Sequence, residues 1–463
     1  MATPAVPTIM PLEKVGPKGY VRYMFPFQLA SGYTQDEVVG VLRRALEATK
    51  KRLPVLSCRA VPDPQAKQEG VMKLEHGDFG DIKVKDLTAP GAFPMTYQQL
   101  KEKHFPLSAF DGDVMCRRPV WTATGDEMPI TEVQANFIQG GLILNWCILH
   151  MIGDGITFQK MLEVWGEECR KAQGIEIASP VELPAKIFDR ERIMEGSGRN
   201  EGKLENHPEY TLLPFTPPGA PPKMLSPSHR GEIFYFSPKA LAELKKDASP
   251  KHATTPPTDV TWISTNDALS ALLWRTIIAA QFPLDKLEGD PKSVFNIAID
   301  GRSRVNPPMH PDTMGCFLEF VAVSMGIRTM LTKASLADIA IEIRRAISKA
   351  DREWTDDIVT LIGSISDVNR LVATAFLDVP GHHCVQTSWI NFSLYSIDWG
   401  HMFGGFIEAV RSPSVGIING LQIVLPALPQ SAGGGLEILT GVEESSVSHL
   451  DHDTLWTKYA KAR

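Results

Sequence analysis

The stretch LILNWCILHMIGDG, residues 142–155, is the most informative part of this chain. Residues 142–149 form an apolar run typical of a buried strand, and His150 follows at its end. An imidazole there has its backbone fixed by the sheet while its ring can face a cleft, so His150 is a candidate general base. Asp154 can cap the helix that follows, and Gly155 permits a sharp bend between strand and helix. The alternative is a packed histidine whose ring nitrogens are satisfied in the core.

The rest of the chain alternates between strand and helix patterns. Apolar residues recur at helical spacing over 36–51 and 156–172, and 133–138 and 142–149 have the pattern of hairpin strands around Gly140 and Gly141. In the second half, strand patterns at 232–236, 294–299, 317–325, 386–392 and 436–442 alternate with helix patterns at 238–247, from Ser264, and at 336–351. The sequence STND over 264–267 resembles a capping box that opens the second of these helices. This order predicts an α/β (α+β) fold in which mixed sheets are flanked by helices.

A proline-rich stretch divides the chain. Residues 210–227 include LLPFTPPGAPP, which can form neither a regular helix nor a central strand. A chain of 463 residues also exceeds what one hydrophobic core usually supports. We therefore predict a first lobe over 1–195, a crossover linker over 196–228 and a second lobe over 229–463, with a ligand cleft between the lobes.

The composition argues against several classes of protein. A net charge of −7 provides no general positive field to hold nucleic acid or an anionic membrane. The longest apolar runs fall short of the roughly 20 residues that span a bilayer, and the amino terminus lacks the basic and apolar segments of a signal peptide. The six cysteines show no paired spacing, which argues against a zinc site and a disulfide framework. We expect a cytoplasmic protein without a zinc site.

Two cysteine-containing patterns raise other possibilities. Cys147 precedes His150 by three residues, which is compatible with a cysteine nucleophile, but on a strand it is better interpreted as a small buried side chain. His382 and His383 stand beside Cys384 as potential metal ligands. Adjacent residues of a strand face opposite sides, so the three side chains would not converge on one ion.

Four stretches together match a known pattern in order and spacing. They are HMIGDG (150–155), STNDALSALLWR (264–275), IDGRSRVNPP (299–308), and TSW (387–389) with the following DWG (398–400). On these stretches the chain resembles the BAHD acyltransferases, particularly fungal members such as the trichothecene 3-O-acetyltransferases, over nearly its whole length. The resemblance implies two lobes, each similar to chloramphenicol acetyltransferase, and a channel between them that acyl-CoA and the acceptor enter from opposite sides.

The resemblance also implies roles for the residues of the first motif. His150 would be the general base. Asp154 would be mainly structural, with its carboxylate turned away from the channel to pair with Arg302 or, as the alternative, Arg304. Loss of Asp154 would then leave a partly buried guanidinium without its counterion.

Later motifs would supply the remaining groups. Thr387 and Trp389 match the channel wall of the family, where a hydroxyl and an indole N–H could stabilise the developing oxyanion. Without the resemblance both would be interpreted as ordinary strand residues. The residues expected to contact CoA are Ser264, Thr265, Asp300 and Arg304, and those expected to support the site are Gly155, Arg302, Asp398 and Gly400. For Ser264 a simple helix cap, and for Arg304 a solvated side chain, are the alternatives.

The sequence departs from the family pattern in one motif. The late Asp-Phe-Gly-Trp-Gly motif of plant members is replaced by DWGHM over 398–402, so only its first and third positions are kept. In the family this motif supports the fold and lies off the channel, so the resemblance implies that the change leaves the mechanism unaffected. Condensation domains and chloramphenicol acetyltransferase carry two consecutive histidines, whereas Leu149 precedes His150 here.

These observations predict an acyl-CoA-dependent O-acyltransferase that acts by direct transfer in a ternary complex. The expected reaction is acetyl transfer from acetyl-CoA to a hydroxyl of a small secondary metabolite. The enzyme is expected to be a monomer without a metal or a permanently bound cofactor. The chain has no Gly-x-Ser-x-Gly motif, which argues against a serine hydrolase. Two alternatives stay open: transfer to an amine, and a catalytically silent binding protein with the same fold.

Overall fold

The structure is a computed structural model that describes residues 6–123, 125–219, 228–377, 381–413 and 418–463. Its strands are β1 Tyr20–Phe27, β2 Cys58–Pro62, β3 Met72–His76, β4 Ile82–Asp86, β5 Met128–Pro129, β6 Thr131–Ile138, β7 Gly141–Leu149, β8 Tyr210–Leu212, β9 His229–Phe236, β10 Lys292–Asp300, β11 Leu318–Gly326, β12 Leu371–Ala373, β13 Cys384–Ser388, β14 Leu421–Val424, β15 Leu436–Glu443 and β16 Lys461–Ala462. Its α-helices are α1 Pro11–Val15, α2 Gln35–Arg52, α3 Tyr97–Glu102, α4 Gly112–Met115, α5 Gly155–Ala172, α6 Pro238–Asp247, α7 Thr265–Gln281, α8 Ile327–Thr332, α9 Leu336–Lys349, α10 Trp354–Ser364, α11 Val447–His452 and α12 Thr454–Tyr459.

The first lobe is built on a four-stranded sheet with the order β1-β7-β6-β4. Strands β6 and β7 form the predicted hairpin, in which Gly140 takes a positive φ of 81°. All of β7 is buried, which explains why its sequence is apolar at every position except Asn145 instead of alternating. Helices α2 and α5 pack together against this sheet, and the predicted stripe of α5, including Phe158 and Trp165, lies in the core.

The second lobe is built on a seven-stranded sheet with the order β11-β10-β13-β14-β15-β9-β16. Strand β13 pairs in parallel with β10 and β14, while the other neighbours are antiparallel. Helices α7 and α9 cover one face of the sheet. Helix α7 opens with the predicted capping box, in which Ser264 Oγ accepts from the Asp267 N–H and the Asp267 carboxylate accepts from the Ser264 N–H.

A crossing segment, residues 389–411, leaves the second lobe after β13 and packs on the first. Its Trp389, Trp399 and Phe403 belong to the hydrophobic core of the first lobe. Its last residue, Arg411, pairs with Met24 of β1 in an antiparallel bridge. The crossing segment therefore fixes the two lobes against each other by buried contact, beyond the linker that joins them.

The mixed α/β fold predicted from the sequence is confirmed. The division into 1–195, 196–228 and 229–463 stays a prediction, and residues 220–227 of the linker lie outside the described residues. Among the residues that are described, no helix combines the length and apolar content needed to cross a bilayer.

Candidate active site

His150 lies immediately after β7, where a short 3₁₀ turn replaces the strand. Its N–H donates to the carbonyl of Gly19 (2.8 Å), which fixes the backbone. Its ring lies edge-on to Phe158, with 5.6 Å between ring centroids, and the side chain is mostly buried but not sealed from solvent. Ring atom Nδ1 lies 3.0 Å from the carbonyl oxygen of Gly153. Because a carbonyl only accepts, Nδ1 carries the hydrogen, and the lone pair of the neutral ring is on Nε2.

The surroundings of His150 favour the neutral ring. Burial lowers the pKa of His150 below its ordinary value, and the charge of Asp154 and the contact with Gly153 offset only part of this effect. A base must be unprotonated to accept a proton. His150 is therefore in the competent form at neutral pH, with Nε2 free of any hydrogen bond to the described residues.

Asp154 is directed away from the His150 ring and into the contact between the lobes. Its carboxylate accepts two hydrogen bonds from Arg302, from Nη1 at 2.6 Å and from Nη2 at 2.9 Å. It also accepts from the backbone N–H of Thr157 at 3.1 Å and of Phe317 at 3.0 Å. By accepting from Thr157, Asp154 caps α5 of the first lobe. Phe317 directly precedes β11 of the second lobe. One carboxylate thus joins both lobes beside the candidate base.

The arginine partner left open by the sequence is Arg302. Besides Asp154, its guanidinium donates to the carbonyls of Thr313 and Gly315 and lies 4.3 Å over the ring of Phe317. Burial would raise the pKa of Asp154, but Arg302 and the backbone donors hold it below its ordinary value. Conversely, burial opposes the charge of Arg302, yet its two acidic partners keep its pKa raised. Both groups are therefore ionised, in a buried bidentate pair.

Gly155 is required for space and not for an unusual backbone conformation. The prediction that it supplies special dihedrals at the bend is wrong, because its φ is not positive. A Cβ at this position would lie only 2.1 Å from Cε2 of Phe392 in the crossing segment. Because glycine has no Cβ, the Phe392 ring can contact the start of α5. Any other residue at position 155 would force either the helix or the ring to shift.

Thr387 and Trp389 lie on the same face at the carboxyl end of β13. The backbone N–H of Trp389 continues the ladder by donating to Val424 (2.8 Å), and its ring packs 5.5 Å from that of Tyr23 in the first lobe. Thr387 is partly exposed, and its hydroxyl makes no hydrogen bond within the described ranges. Since Tyr23 also contacts Phe158, which touches His150, the Trp389 ring lies on the side of the first lobe that carries the candidate base.

Asp398 and Gly400 form a turn that docks on α5. The Asp398 carboxylate accepts from the Gly400 N–H (2.8 Å), and Gly400 has a positive φ of 89°. Gln173, just after α5, donates to the carbonyl of Trp399 (2.7 Å) and accepts from the N–H of Met402 (2.9 Å). This geometry supports a structural role for the turn, as expected for a motif away from the chemistry.

We predict that Gly400→Ala destabilises the protein by about 2–5 kcal/mol, because it adds backbone strain and overpacking. Its Cβ would lie 2.3 Å from Nε2 of Gln173, whose amide is held by hydrogen bonds on both sides. Gly405 is the matched control, since it has a φ of 87° in the same turn and nothing within 4 Å of its Cβ position. Urea unfolding should show Gly405→Ala to be milder by about 1–3 kcal/mol, the overpacking contribution. Equal costs would mean that the contact with Gln173 contributes nothing.

The residues expected to contact CoA have structural partners in most cases. Ser264 caps α7, and Asp300 caps the turn that follows β10 and binds Arg302 through Oδ1 (2.8 Å to Nη1). Thr265 is partly buried and its side chain makes no hydrogen bond to the described residues. Nε of Arg304 is buried and has no hydrogen-bond partner among the described residues. Burial lowers the pKa of this arginine. Contacts of these four residues with CoA stay predictions.

Cys147 is fully buried in β7, where its Sγ lies 3.2 Å from Oδ1 of Asn145. This placement favours the interpretation of Cys147 as a core residue over its interpretation as a nucleophile.

A surface cavity lies between β11 and α9 of the second lobe. It is lined by Asp259, Glu342 and Arg345, whose charges pair with one another, and by none of the motif residues.

Two family models together match most of this chain. Residues 107–454 match the Transferase family, and residues 20–169 match the trichothecene 3-O-acetyltransferase-like N-terminal domain. Because the first match covers most of the chain, the protein belongs to the Transferase family, which is the BAHD family expected from the motifs.

Individual relatives span the whole chain at low identity. The eremophilane O-acetyltransferase ORF8 of Penicillium roqueforti is 26% identical over 489 residues, which covers 98% of each chain. The enoyl-CoA isomerase/hydratase claC of Penicillium crustosum is 27% identical over 459 residues, 96% of this chain but only 50% of the relative, so this chain spans half the length of claC. The crystal structure of F. graminearum TRI101 complexed with coenzyme A and deoxynivalenol matches with a TM-score of 0.84 at 20% identity, covering 99% of this chain and 100% of that one. The two-lobed fold predicted from the motifs is thereby confirmed.

Proposed function

We propose that this protein transfers an acetyl group from acetyl-CoA to a hydroxyl of a small secondary metabolite, with His150 as the general base. The observation that carries the proposal is the contact of 3.0 Å between Nδ1 of His150 and the Gly153 carbonyl oxygen, which favours the tautomer with its lone pair on Nε2, where the two lobes meet. The O-acetyltransferase relative from Penicillium roqueforti supports transfer to oxygen.

In this mechanism, Nε2 of His150 takes the proton of the acceptor hydroxyl as its oxygen attacks the thioester carbon. The carbonyl oxygen becomes an oxyanion, and in this proposal the Thr387 hydroxyl and the Trp389 indole N–H stabilise it. When the C–S bond breaks, the imidazolium returns the proton to the sulfur of CoA. The products are the acetyl ester and free CoA, His150 returns to its neutral form, and no acyl-enzyme is formed.

We predict that kcat/KM rises with pH through a pKa below 6.5 and is then constant towards neutral pH. The sign follows from the base, because only neutral His150 accepts a proton and burial lowers its pKa from 6.5. The measurement is the pH profile of kcat/KM for acetyl transfer. A profile that falls as pH rises through this range, or that first rises above pH 7.5, would contradict the assignment.

The function itself is tested by thiol release from acetyl-CoA in the presence of alcohols and of matched amines with the same carbon skeletons. We expect release with alcohols. Release with the amines alone would favour N-acylation instead. CoA binding without release across the whole panel would favour the catalytically silent binding protein.

Three finer expectations belong to the same proposal. Ser264, Thr265, Asp300 and Arg304 are proposed contacts of CoA, of which Thr265 and Arg304 are the freest to form them. The protein is proposed to be a monomer. It is proposed to act in the cytoplasm, where the six cysteines, all free thiols in this structure, would remain reduced.

A further inference from the structure

Tyr23 of β1 lies between the two halves of the proposed site. Its ring centroid is 6.5 Å from that of Phe158, which contacts His150, and 5.5 Å from that of Trp389 on the second lobe. The ring is also stacked at 5.4 Å on Phe25 and at 5.8 Å on Trp146. Aromatic neighbours on several sides hold the phenol in one orientation. The side chain therefore does not have to reorient when charge develops on a bound substrate.

The hydroxyl of Tyr23 is the part of the side chain that remains free. The residue is only 2% exposed, and its oxygen makes no hydrogen bond within the described part of the chain. In contrast to the hydroxyl of Tyr395, which is sealed from solvent, the Tyr23 oxygen is still accessible. A buried aromatic ring with an open, unpaired hydroxyl is the arrangement expected for a group that meets a ligand.

The charge state of Tyr23 decides what this hydroxyl can do. Burial raises the pKa of Tyr23 far above its ordinary value, and the nearby carboxylate of Asp154 raises it further. The phenol therefore keeps its proton at every pH at which the enzyme would work, and it acts as a donor and not as a base. The base position is already occupied by His150.

We propose that the Tyr23 hydroxyl donates a hydrogen bond to the thioester carbonyl oxygen as it becomes an oxyanion, beside the indole of Trp389. This inference rests on the proposed acyl transfer. No bond to Tyr23 forms or breaks, because its proton stays on the phenol while negative charge grows on the substrate oxygen. A donor aimed at developing charge binds the transition state more strongly than the ground state, so it raises kcat and leaves KM almost unchanged.

The kinetic test is Tyr23→Phe, which removes one oxygen and keeps the aromatic packing. We expect kcat for acetyl transfer to fall about a hundredfold, with KM for acetyl-CoA and for the acceptor within about twofold of the wild type. The matched control is Tyr97→Phe, since Tyr97 packs on Phe105 in a separate core cluster. Its activity should be unchanged. An unchanged kcat in Tyr23→Phe, or a raised KM with normal kcat, would overturn the proposal.

A binding measurement separates this proposal from the proposed function. The probes are coenzyme A and a trifluoromethyl ketone analogue of acetyl-CoA whose hydrate carries the tetrahedral oxygen. Tyr23→Phe should bind CoA like the wild type but should bind the analogue at least tenfold more weakly. Equal affinity of both proteins for the analogue would refute the proposed role of Tyr23 but not the proposed acyl transfer. If the wild type bound neither probe, both proposals would be refuted.

Discussion

Replacement of His150 by alanine is expected to lower kcat/KM for acetyl transfer at least a hundredfold while the protein remains folded. A positioned base contributes roughly 10²–10⁴-fold to the rate, and the proposed donors Thr387, Trp389 and Tyr23 cannot replace it, because they hold their protons at neutral pH. The backbone of residue 150 is fixed by its hydrogen bond to Gly19, which alanine keeps. Thiol release measures the rate, and the urea midpoint shows that the variant is folded.

His449→Ala is the matched control for this experiment. His449 and Asp453 have the same spacing as His150 and Asp154, but His449 is exposed and its Nδ1 lies 2.6 Å from the Ala280 carbonyl oxygen. Its loss should leave the acetyl transfer rate unchanged. Retention of more than roughly a hundredth of the activity in His150→Ala would refute the base assignment.

The second large effect is expected at the ion pair between the lobes. Asp154→Ala should lower the free energy of unfolding by about 3–5 kcal/mol, because Arg302 would be left buried and charged with only carbonyls, the Thr157 hydroxyl and the Asp300 carboxylate as partners. Arg302→Met should cost a similar amount by leaving Asp154 unpaired. Combining both substitutions should cost less than the sum of the single ones, since neither charge is then stranded. Urea unfolding of the four proteins gives the coupling free energy.

An exposed ion pair provides the comparison. Arg230 and Glu444 are paired, but their side chains are 53% and 58% exposed, so Glu444→Ala should cost less than about 1 kcal/mol. Additive effects of Asp154→Ala and Arg302→Met, or a cost as small as that of Glu444→Ala, would contradict a structural pair between the lobes. Loss of acyl transfer in Asp154→Ala is expected too, as a result of displaced geometry and not of lost proton transfer.

Much of the fold follows from local patterns in the sequence. The hairpin around Gly140, the apolar stripe of α5 and the capping box at Ser264 depend on residues only a few positions apart, and all three are confirmed. The partner of Asp154 was narrowed to Arg302 or Arg304 because both stand in one motif. Only the structure shows which arginine pairs with Asp154. In the turn after β10, Arg302 binds both Asp300 and Asp154.

Contacts between distant parts of the chain were beyond sequence reasoning. Nothing local to Gly155 shows that Phe392 occupies the space of its missing side chain. The strand predicted over 386–392 ends at Ser388, because the residues that follow leave the sheet to pack on the first lobe. In the sequence, Tyr23 resembles any aromatic residue of an edge strand, and only the structure shows that its ring contacts both Phe158 and Trp389.

The placement of CoA tests the central claim most directly. In a structure with coenzyme A bound, the account predicts that the CoA sulfur lies at the junction of the lobes, within hydrogen-bonding reach of Nε2 of His150, with Thr387 and Trp389 on the opposite side. A sulfur bound elsewhere, such as in the cavity between β11 and α9, or an Nε2 turned away from it, would contradict catalysis by His150.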